Sequence, residues 1–464
     1  MNDRIQQRSV LLATSLSYVV VILDTSIVNV ALGPISMSLA GGMSGLQWVV
    51  NAYTLTFASL LLSGGTLGDR LGARNVYIAG LAVFTGASAL CGAASSLAAL
   101  IGARVLQGVG AALLVPASLA LINRACPHPQ ERAAAFGVWA GLGGLAMAAG
   151  PLIGGVLIGL AGWRSIFLLN VPVCLIGIVL ARRVEIQAGA RSAAAPGFDI
   201  AGQIAAIATL ALLNITVIGL PAYGWFAPPI AAGCAATLVA GCVFVAIETK
   251  RAQPMLPFGL FRHSGFSCAI LVSMVSAFTF YGLMFDLSLY FQHQLGYSPM
   301  RTGLAFLPLT IVVPIGSFLS KRAVTWLGPR SLVGAACVLA ALGFAGLWAI
   351  VSRFSAVPFA FALPAIGLAA SLITPVATTT LMASVESVRS GIAAGVLNAA
   401  RQTGAVLGVT VSGSMIAMRH SIVDGMRSGL LLAGALSFAA GMAWWFASMQ
   451  AGEVGEGVSG ELHR

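Results

Sequence analysis

Long apolar runs dominate the sequence and alternate with short stretches rich in Arg, Pro, Gly and polar residues. About 20 apolar residues carry a helix across the hydrocarbon core of a bilayer, so each run predicts a transmembrane helix. We place fourteen helices, near residues 10–33, 46–66, 75–95, 98–122, 133–158, 165–182, 200–220, 228–247, 265–290, 302–320, 331–350, 355–381, 391–417 and 428–448. The pattern therefore predicts an all-α polytopic membrane protein.

The composition supports a membrane protein and the positions of the charges orient it. Of the 464 residues 58% are apolar and 8% are charged, whereas soluble domains carry about 25% charged residues. The net charge of +11 would suit nucleic acid only if it formed one basic face. Instead, 17 of the 24 Lys and Arg residues fall in short loops on one side, five fall on the other, and Arg104 and Arg401 lie inside spans. The excess of positive charge marks the cytoplasmic side. We therefore expect a multi-pass membrane protein with both termini cytoplasmic, and no nucleic-acid partner.

The motifs of an enzyme or of a metal site do not occur in the chain. Its two lysines, Lys250 and Lys321, do not follow Gly, which excludes a P-loop, and neither H-E-x-x-H nor G-x-S-x-G occurs. The seven cysteines are dispersed without a C-x-x-C pair, so a disulfide framework or zinc site is not expected. We predict no enzymatic activity, no cofactor and no metal.

An internal repeat divides the chain. Gly108 lies eight residues before Pro116, and Gly367 lies eight residues before Pro375. The loops at residues 71–74 and 327–330 also end alike. Repeated six-helix halves are a known plan for secondary transporters, although small residues also serve helix packing in general. We predict two six-helix bundles with two inserted helices, as an N-terminal bundle at 1–195, inserted helices 7 and 8 at 196–255, and a C-terminal bundle with a short cytoplasmic tail at 256–464.

The predicted loop between helices 2 and 3 contains a charged, glycine-rich segment. It reads Gly65-Thr66-Leu67-Gly68-Asp69-Arg70-Leu71-Gly72-Ala73-Arg74 and resembles the loop signature of the major facilitator superfamily. The glycines let helix ends approach closely, while Asp69, Arg70 and Arg74 can form a charge cluster that latches the cytoplasmic side. Alternatively, the two arginines only orient the loop. The residues assigned to the latch are Gly65, Gly68, Asp69, Arg70, Gly72 and Arg74.

Predicted helix 5 carries a row of small residues around a proline. The row has the spacing of the antiporter signature of the same superfamily, with Ala146 where the family has Gly. Small residues form a groove for close helix contact, and the proline bends the helix. This resemblance implies exchange of substrate against an ion. The residues concerned are Gly137, Gly150, Pro151, Gly154 and Gly155.

Further segments are similar to the fourteen-helix drug:proton antiporters of the QacA/EmrB type. They are residues 23–32 in helix 1, 398–404 in helix 13, 290–298 after helix 9, and 198–202 entering helix 7. This resemblance covers nearly the whole chain and its motifs occur in order. It implies the major facilitator fold and an inner-membrane exporter that exchanges its substrate for protons.

Two charged residues inside spans are candidates for proton coupling. Asp24 lies near the middle of helix 1, where a carboxylate is costly unless it has a function or a partner. Burial favours its neutral form, so protons and a cationic substrate could compete for one carboxyl group. The family resemblance links Arg104 to proton coupling through a nearby acid. The alternatives are a purely structural Asp24 and an Arg104 that extends to the outer interface.

Polar residues on two later helices are candidates for contact with substrate. Asp286, Tyr290 and His293 have the spacing of one helix face and could line an outer vestibule, unless Asp286 is simply solvated. Asn398, Arg401 and Gln402 share a face of helix 13. We expect Arg401 either to hydrogen-bond across the interface of the two halves or to pair with an acid.

The leading hypothesis is an exporter of amphipathic toxic compounds, above all cationic ones, in exchange for protons by alternating access. The partners are then the small-molecule substrate, protons and membrane lipids. The sequence does not decide whether a periplasmic adaptor is also a partner. Three rivals remain: a proton-coupled exporter of an endogenous or anionic metabolite with Arg104 or Arg401 as counter-ion, a nutrient symporter, and a non-transporting receptor.

Overall fold

Helices make up the fold of the described part of the chain, and no strand occurs there. The computed structural model describes residues 2–126, 128–183, 199–251, 254, 256–353, 359–386 and 390–461. The α-helices are α1 (Asn2–Leu39), α2 (Met43–Leu71), α3 (Ala73–Ala93), α4 (Leu97–Ala125), α5 (Pro129–Ala161), α6 (Ser165–Leu168), α7 (Asn170–Arg183), α8 (Ile200–Tyr223), α9 (Pro228–Lys250), α10 (Ser264–Leu289), α11 (Pro299–Ala305), α12 (Leu307–Thr310), α13 (Val312–Ile350), α14 (Phe359–Ala383), α15 (Ser390–Arg419) and α16 (Ile422–Glu461). A π-helical turn at Tyr290–Gln294 continues α10, and 3-10 turns lie at Phe258–Arg262 and Val351–Arg353. The prediction of an all-α polytopic membrane protein is confirmed.

The number of membrane spans is the point on which the structure and the sequence pattern differ. The described residues contain eleven helices long and apolar enough to cross a membrane, or twelve if Met43–Leu61 and Ser63–Leu71 form one bent span. The predicted count of fourteen is therefore not confirmed. One reason is that the predicted helices at 302–320 and 331–350 lie in one helical stretch, Pro299–Ile350. The other is that α15, which carries Asn398, Arg401 and Gln402, is not among the eleven.

The chain forms two compact units. The first comprises Met1–Ile247 and Met284–Leu307, and the second comprises Glu248–Leu283 and Pro308–Arg464. In the first unit, α4 packs against α2 and α3, while α1 packs against α5 and α7; in the second, α13 packs against α14 and α16. The three-part division predicted from the sequence stays a prediction, because residues 195, 196 and 255 at its boundaries lie outside the described ranges.

The repeated glycines occupy equivalent helix crossings. A Cβ atom on Gly108 of α4 would lie 2.6 Å from the carbonyl oxygen of Tyr53 and 2.7 Å from the Cβ of Thr56, both on α2. A Cβ on Gly367 of α14 would likewise meet the carbonyl oxygen of Leu309. Each glycine therefore lets its helix approach the backbone of a neighbour, which side chains would prevent.

The helix α8, predicted to be the first of two inserted helices, is held against α2 by the buried amide of Gln203. Asp199 caps α8, since its Oδ1 accepts the backbone N–H of Gly202 at 2.8 Å, as expected for an N-cap residue. Gln203 then donates to the carbonyl of Ser59 and accepts from the hydroxyl of Ser63. Inside apolar surroundings such hydrogen bonds stabilise one register, because unpaired partners are costly. The inserted helix α8 thus belongs to the first unit.

Candidate functional site

Asp24 is the centre of a buried polar cluster in the first unit. It lies on α1, and its side chain is 0% exposed. Its Oδ2 forms an ion pair with Nη1 of Arg104 on α4. Its Oδ1 accepts hydrogen bonds from Nε2 of Gln107 at 3.1 Å and from Nδ2 of Asn170 at 3.0 Å. The carboxylate therefore joins α1 to α4 and α7 at one point.

Arg104 is fully enclosed by protein. Its side chain is 1% exposed, so the alternative that it extends to the outer interface is wrong. Its Nε donates to the carbonyl of Val49 at 3.0 Å and its Nη1 donates to Oε1 of Gln107 at 2.9 Å. The guanidinium also lies 4.3 Å from the ring centroid of Tyr53, a distance at which an aromatic face attracts a cation. These contacts offset part of the cost of burying the charge.

Neutral polar residues complete the cluster, and sequence reasoning missed all of them. Nε2 of Gln107 donates to Oγ of Ser88 at 2.9 Å, and Nδ2 of Asn170 lies 3.4 Å from the same hydroxyl. Cys91 donates from Sγ to Oε1 of Gln107 at 3.4 Å. The available signal was the i, i+3 spacing of Arg104 and Gln107 within an apolar helix, which puts both on one face.

The cluster changes the expected relation between Asp24 and a cationic substrate. Both carboxylate oxygens are engaged, and the group is inaccessible to solvent. Direct competition between a proton and a substrate cation for this carboxylate therefore does not fit the geometry. The proton-coupling role of Asp24 and Arg104 stays a prediction.

The predicted latch segment forms a tight helix-to-helix junction. Gly72 joins α2 to α3 with φ +88°, a left-handed conformation that favours glycine. Arg74 then donates from Nε to the carbonyl of Ala181 at 3.0 Å and from Nη2 to that of Arg182 at 2.6 Å. Cations are favourable at the carbonyl end of a helix, so Arg74 holds the C-terminal end of α7.

The remaining latch residues lie around this junction. Asp69 and Arg70 are exposed at the end of α2. Gly65 and Gly68 pack at ordinary distances, with a Cβ meeting Pro116 at 3.7 Å and Ala73 at 4.0 Å respectively. The charge cluster of Asp69 with the two arginines stays a prediction.

Residues of the small row on α5 have different surroundings. Gly150 and Gly154 lie against Ser26 and Ile27 of α1, and a Cβ on Gly154 would be 2.6 Å from Cγ1 of Ile27. Gly137, by contrast, has nothing within 4 Å of an added Cβ. The close-packing groove therefore does not extend to Gly137.

The C-terminal part of the row contacts the segment that begins α11. A Cβ on Gly155 would be 2.6 Å from the carbonyl oxygen of Pro299 and 2.9 Å from Cα of Met300. The carbonyl of Pro151 in turn lies against Gly303. Here backbone meets backbone, so even one methyl group would separate the helices.

The C-terminal end of α10 does not present the expected vestibule face. Asp286 is 2% exposed and Tyr290 is 0% exposed, whereas His293 is exposed. The π-helical turn at Tyr290–Gln294 adds a residue to the helical repeat and rotates His293 away from the other two. Both the shared face and the alternative of a solvated Asp286 are therefore wrong.

The side chain of Gln292 in that turn hydrogen-bonds to backbone groups of α1 just before Pro34. Pro34 lies inside α1 and lacks an N–H, so the carbonyl four residues earlier, that of Val30, loses its helical donor. Gln292 supplies it, with Nε2 3.0 Å from that carbonyl, and its Oε1 accepts the N–H of Gly33 at 3.2 Å. Ser288 donates to the carbonyl of Asn29. Sequence reasoning missed these hydrogen bonds between Gln292 and α1. The available signal was a proline inside a membrane helix, which leaves a backbone carbonyl in need of a donor.

Two hydrogen bonds of Arg401 lie within the second unit. Its Nη2 donates to the carbonyl of Thr374 at 2.9 Å and to Oγ1 of Thr378 at 2.7 Å, both on α14. The expected hydrogen bond across the two halves, or pairing with an acid, stays a prediction. Asn398 donates to the carbonyl of Ala394 in its own helix at 3.1 Å, and Gln402 follows Arg401 on α15.

Residues 14–409 match the family model described as Major Facilitator Superfamily. The methylenomycin A resistance protein of Bacillus subtilis (strain 168) is 36% identical over 444 residues, which cover 94% of each chain. Multidrug resistance protein Stp of Mycobacterium tuberculosis (strain CDC 1551 / Oshkosh) is 36% identical over 412 residues, covering 88% of this chain and 75% of Stp.

A further relative and a solved structure extend the comparison. The tetracenomycin C resistance and export protein of Streptomyces glaucescens is 32% identical over 412 residues, covering 88% of this chain and 76% of the relative. The crystal structure of a D-xylose-proton symporter aligns with a TM-score of 0.67 at 13% identity, covering 94% of this chain and 97% of the symporter. At that identity the likeness concerns the fold alone.

Proposed function

The chain belongs to the major facilitator superfamily, and on that premise we propose that it exports amphipathic toxic compounds in exchange for protons. The relatives named for methylenomycin A resistance, multidrug resistance and tetracenomycin C export support the efflux part of this proposal. The observation that carries the proton part is the buried ion pair of Asp24 and Arg104. The proposed location is the inner membrane, with both termini cytoplasmic.

Proton occupancy of Asp24 controls how firmly α1 is tied to α4 and α7. With Asp24 ionised, Arg104, Gln107 and Asn170 converge on one carboxylate. Protonation removes the attraction to Arg104 and leaves that cation without its counter-charge. Loss of one partner of a buried pair is worth about 3–5 kcal/mol, close to the ~5.5 kcal/mol that moves a two-state equilibrium from 1:99 to 99:1. One proton is therefore sufficient to bias alternating access.

Substrate binding is assigned to a place other than Asp24. Because the carboxylate is enclosed and fully engaged, the substrate and the proton are coupled through helix positions and do not compete for one site. The affinity for an amphipathic substrate would come from burial of apolar surface with few fixed polar contacts. Cationic amphiphiles remain the first class to test.

Export of an anionic metabolite is the second candidate. Arg401 favours it, because this residue brings a positive charge into a helix of the second unit and is held there by Thr374 and Thr378. An anionic substrate would use the guanidinium as its counter-ion.

We also propose that the chain has fourteen spans and belongs to the QacA/EmrB type. The stretch Pro299–Ile350 has 52 residues, about 78 Å of helix, which exceeds twice the ~30 Å of the hydrocarbon core. Its backbone leaves the helical conformation at Gly328, with φ 71°, immediately before Pro329. Two spans therefore meet there, and α15, with 30 residues, is long enough for another.

Reporter fusions test this topology. Green fluorescent protein fused after Arg330 should fluoresce in the cytoplasm, and alkaline phosphatase fused after Val351 should be active outside. Active phosphatase after Arg330 would contradict a fourteen-helix arrangement with cytoplasmic termini.

Transport in inside-out vesicles with an acidic interior tests the function. Ethidium as a cation, and methylenomycin A and tetracenomycin C as antibiotics, should collapse the pH gradient only when the protein is present. Asp24→Asn should abolish the response, whereas Asp424→Asn, at an exposed position on α16, should preserve it. An unchanged response in Asp24→Asn would remove the proton site. A response to anionic compounds alone would favour the second candidate.

A further inference from the structure

We propose that Asn170 reads the protonation state of Asp24 by rotating its side-chain amide, as a positioning residue of the coupling site. This inference rests on the proposed function, since it requires Asp24 to gain and lose a proton. Asn170 is the first residue of α7 and is 1% exposed. Its Nδ2 donates to Asp24, while its Oδ1 has no hydrogen-bond partner among the described residues.

The buried side-chain carbonyl of Asn170 receives no hydrogen bond from the described residues. A buried acceptor without a partner costs about 1–3 kcal/mol, and each instance in a folded protein calls for a physical reason. Here the acceptor belongs to the same amide that donates to Asp24 at 3.0 Å. A terminal amide torsion is broadly two-fold, so a half turn exchanges the donor and the acceptor within the same volume.

A protonated Asp24 needs an acceptor. An ionised carboxylate only accepts hydrogen bonds, but a carboxylic acid also donates one. Arg104 is a donor only. Oε1 of Gln107 already accepts from Arg104 and Cys91, and Oγ of Ser88 already accepts from Gln107. The carbonyl oxygen of Asn170 is the acceptor in this cluster that has no donor of its own.

The two orientations of the amide match the two states of the acid. With Asp24 ionised, Nδ2 of Asn170 donates to the carboxylate, as observed. With Asp24 protonated, the rotated amide accepts the proton of the carboxyl group through Oδ1. Asn170 thereby provides Asp24 with a hydrogen-bond partner in both protonation states, within a cluster that is enclosed by protein.

Other titratable and charged groups face this cluster from each neighbouring helix. Arg104 comes from α4 and Cys91 from α3. Cys174 lies one turn beyond Asn170 on α7 and interacts with Asp24 electrostatically. Tyr53 of α2 lies beneath the guanidinium of Arg104. The experiment must therefore distinguish the signals of Asp24 and of asparagine from those of the other groups.

Infrared difference spectroscopy between acidic and alkaline pH supplies this identification on the full-length protein in detergent or lipid. The carboxylic-acid band of Asp24 is the one lost in Asp24→Asn. In wild-type protein with ¹³C-labelled asparagine, a side-chain amide band should change with the same pH midpoint as that carboxyl band. This measurement requires no substitution at Asn170 itself.

The substitution Asn170→Leu should remove the amide change and move the carboxyl band to higher wavenumber, because the acid then lacks its acceptor. Asn75→Leu is the control, since this exposed asparagine donates to the carbonyl of Leu71 four residues earlier and lies outside the cluster, and both bands should persist. A carboxyl band at the wild-type position in Asn170→Leu, or no asparagine change in the labelled wild type, overturns the role of Asn170. If no carboxyl band depends on Asp24, the proposed proton site fails instead, so the two failures are distinguishable.

Discussion

Substitution of Gly108 by Ala tests the helix crossing on which the candidate site is built. The new methyl carbon would lie 2.7 Å from the Cβ of Thr56 and 2.6 Å from the carbonyl oxygen of Tyr53. Carbon atoms pack best at about 3.5–4.0 Å, so α2 and α4 must separate by close to one ångström. Overpacking of this kind typically costs about 1–3 kcal/mol. Separation would also draw the ring of Tyr53 away from Arg104.

A matched control lies six residues earlier on the same helix. Gly102 is exposed, and nothing lies within 4 Å of an added Cβ. Alanine is a better helix residue than glycine by about 0.5–1 kcal/mol, so Gly102→Ala should leave stability unchanged or raise it. Gly367→Ala, the repeat counterpart, should behave like Gly108→Ala, since its methyl group meets the carbonyl of Leu309.

Thermal unfolding of the purified protein in one detergent, followed by intrinsic fluorescence, measures the effect. Gly108→Ala and Gly367→Ala should each have a lower Tm than wild type, and Gly102→Ala should not. A Tm for Gly108→Ala equal to that of Gly102→Ala would refute the reasoning from close backbone approach.

Two further substitutions probe the side-chain ties of the first unit. Gln203→Leu leaves the buried hydroxyl of Ser63 without its acceptor and should reduce stability by about 1–3 kcal/mol; the control Thr209→Ala removes a hydroxyl bonded only within its own helix. An equal Tm for these two variants in detergent would contradict the anchoring of α8. Gln292→Ala removes two hydrogen bonds to the proline break of α1 and should lower the Tm, whereas the exposed neighbour His293→Ala should not. A Tm for Gln292→Ala no lower than that for His293→Ala would show that the tie is not stabilising.

The fold class and the central charged pair were accessible from the sequence because charge inside an apolar run has few explanations. Asp24 and Arg104 stood out for that reason, and the structure pairs them. Gln107 and Asn170 did not stand out, since neutral polar residues are common in membrane helices rich in small residues. Only the packing of α1, α4 and α7 shows that both reach the carboxylate of Asp24.

Features that depend on local departures from the regular helix were not predictable. The interpretation of Asp286, Tyr290 and His293 as one face assumed an unbroken α-helical repeat, and the π-helical turn at Tyr290–Gln294 removes it. The partner of Arg401 could not be read from spacing either, because Thr374 and Thr378 lie on another helix.

The two ends of α7 are engaged by different parts of the first unit. Its first residue, Asn170, binds Asp24, and its last turn offers the carbonyls of Ala181 and Arg182 to Arg74. The 14 residues of this helix correspond to about 20 Å of stiff rod, so a displacement at one end reappears at the other. Linkage is reciprocal. If protonation of Asp24 weakens the hydrogen bonds of Arg74 to the end of α7, then weakening those hydrogen bonds must change the proton affinity of Asp24 by the same factor. On the proposed role of Asp24, a substitution of Arg74 in the first turn of α3 should therefore shift the proton affinity of Asp24 without contacting it.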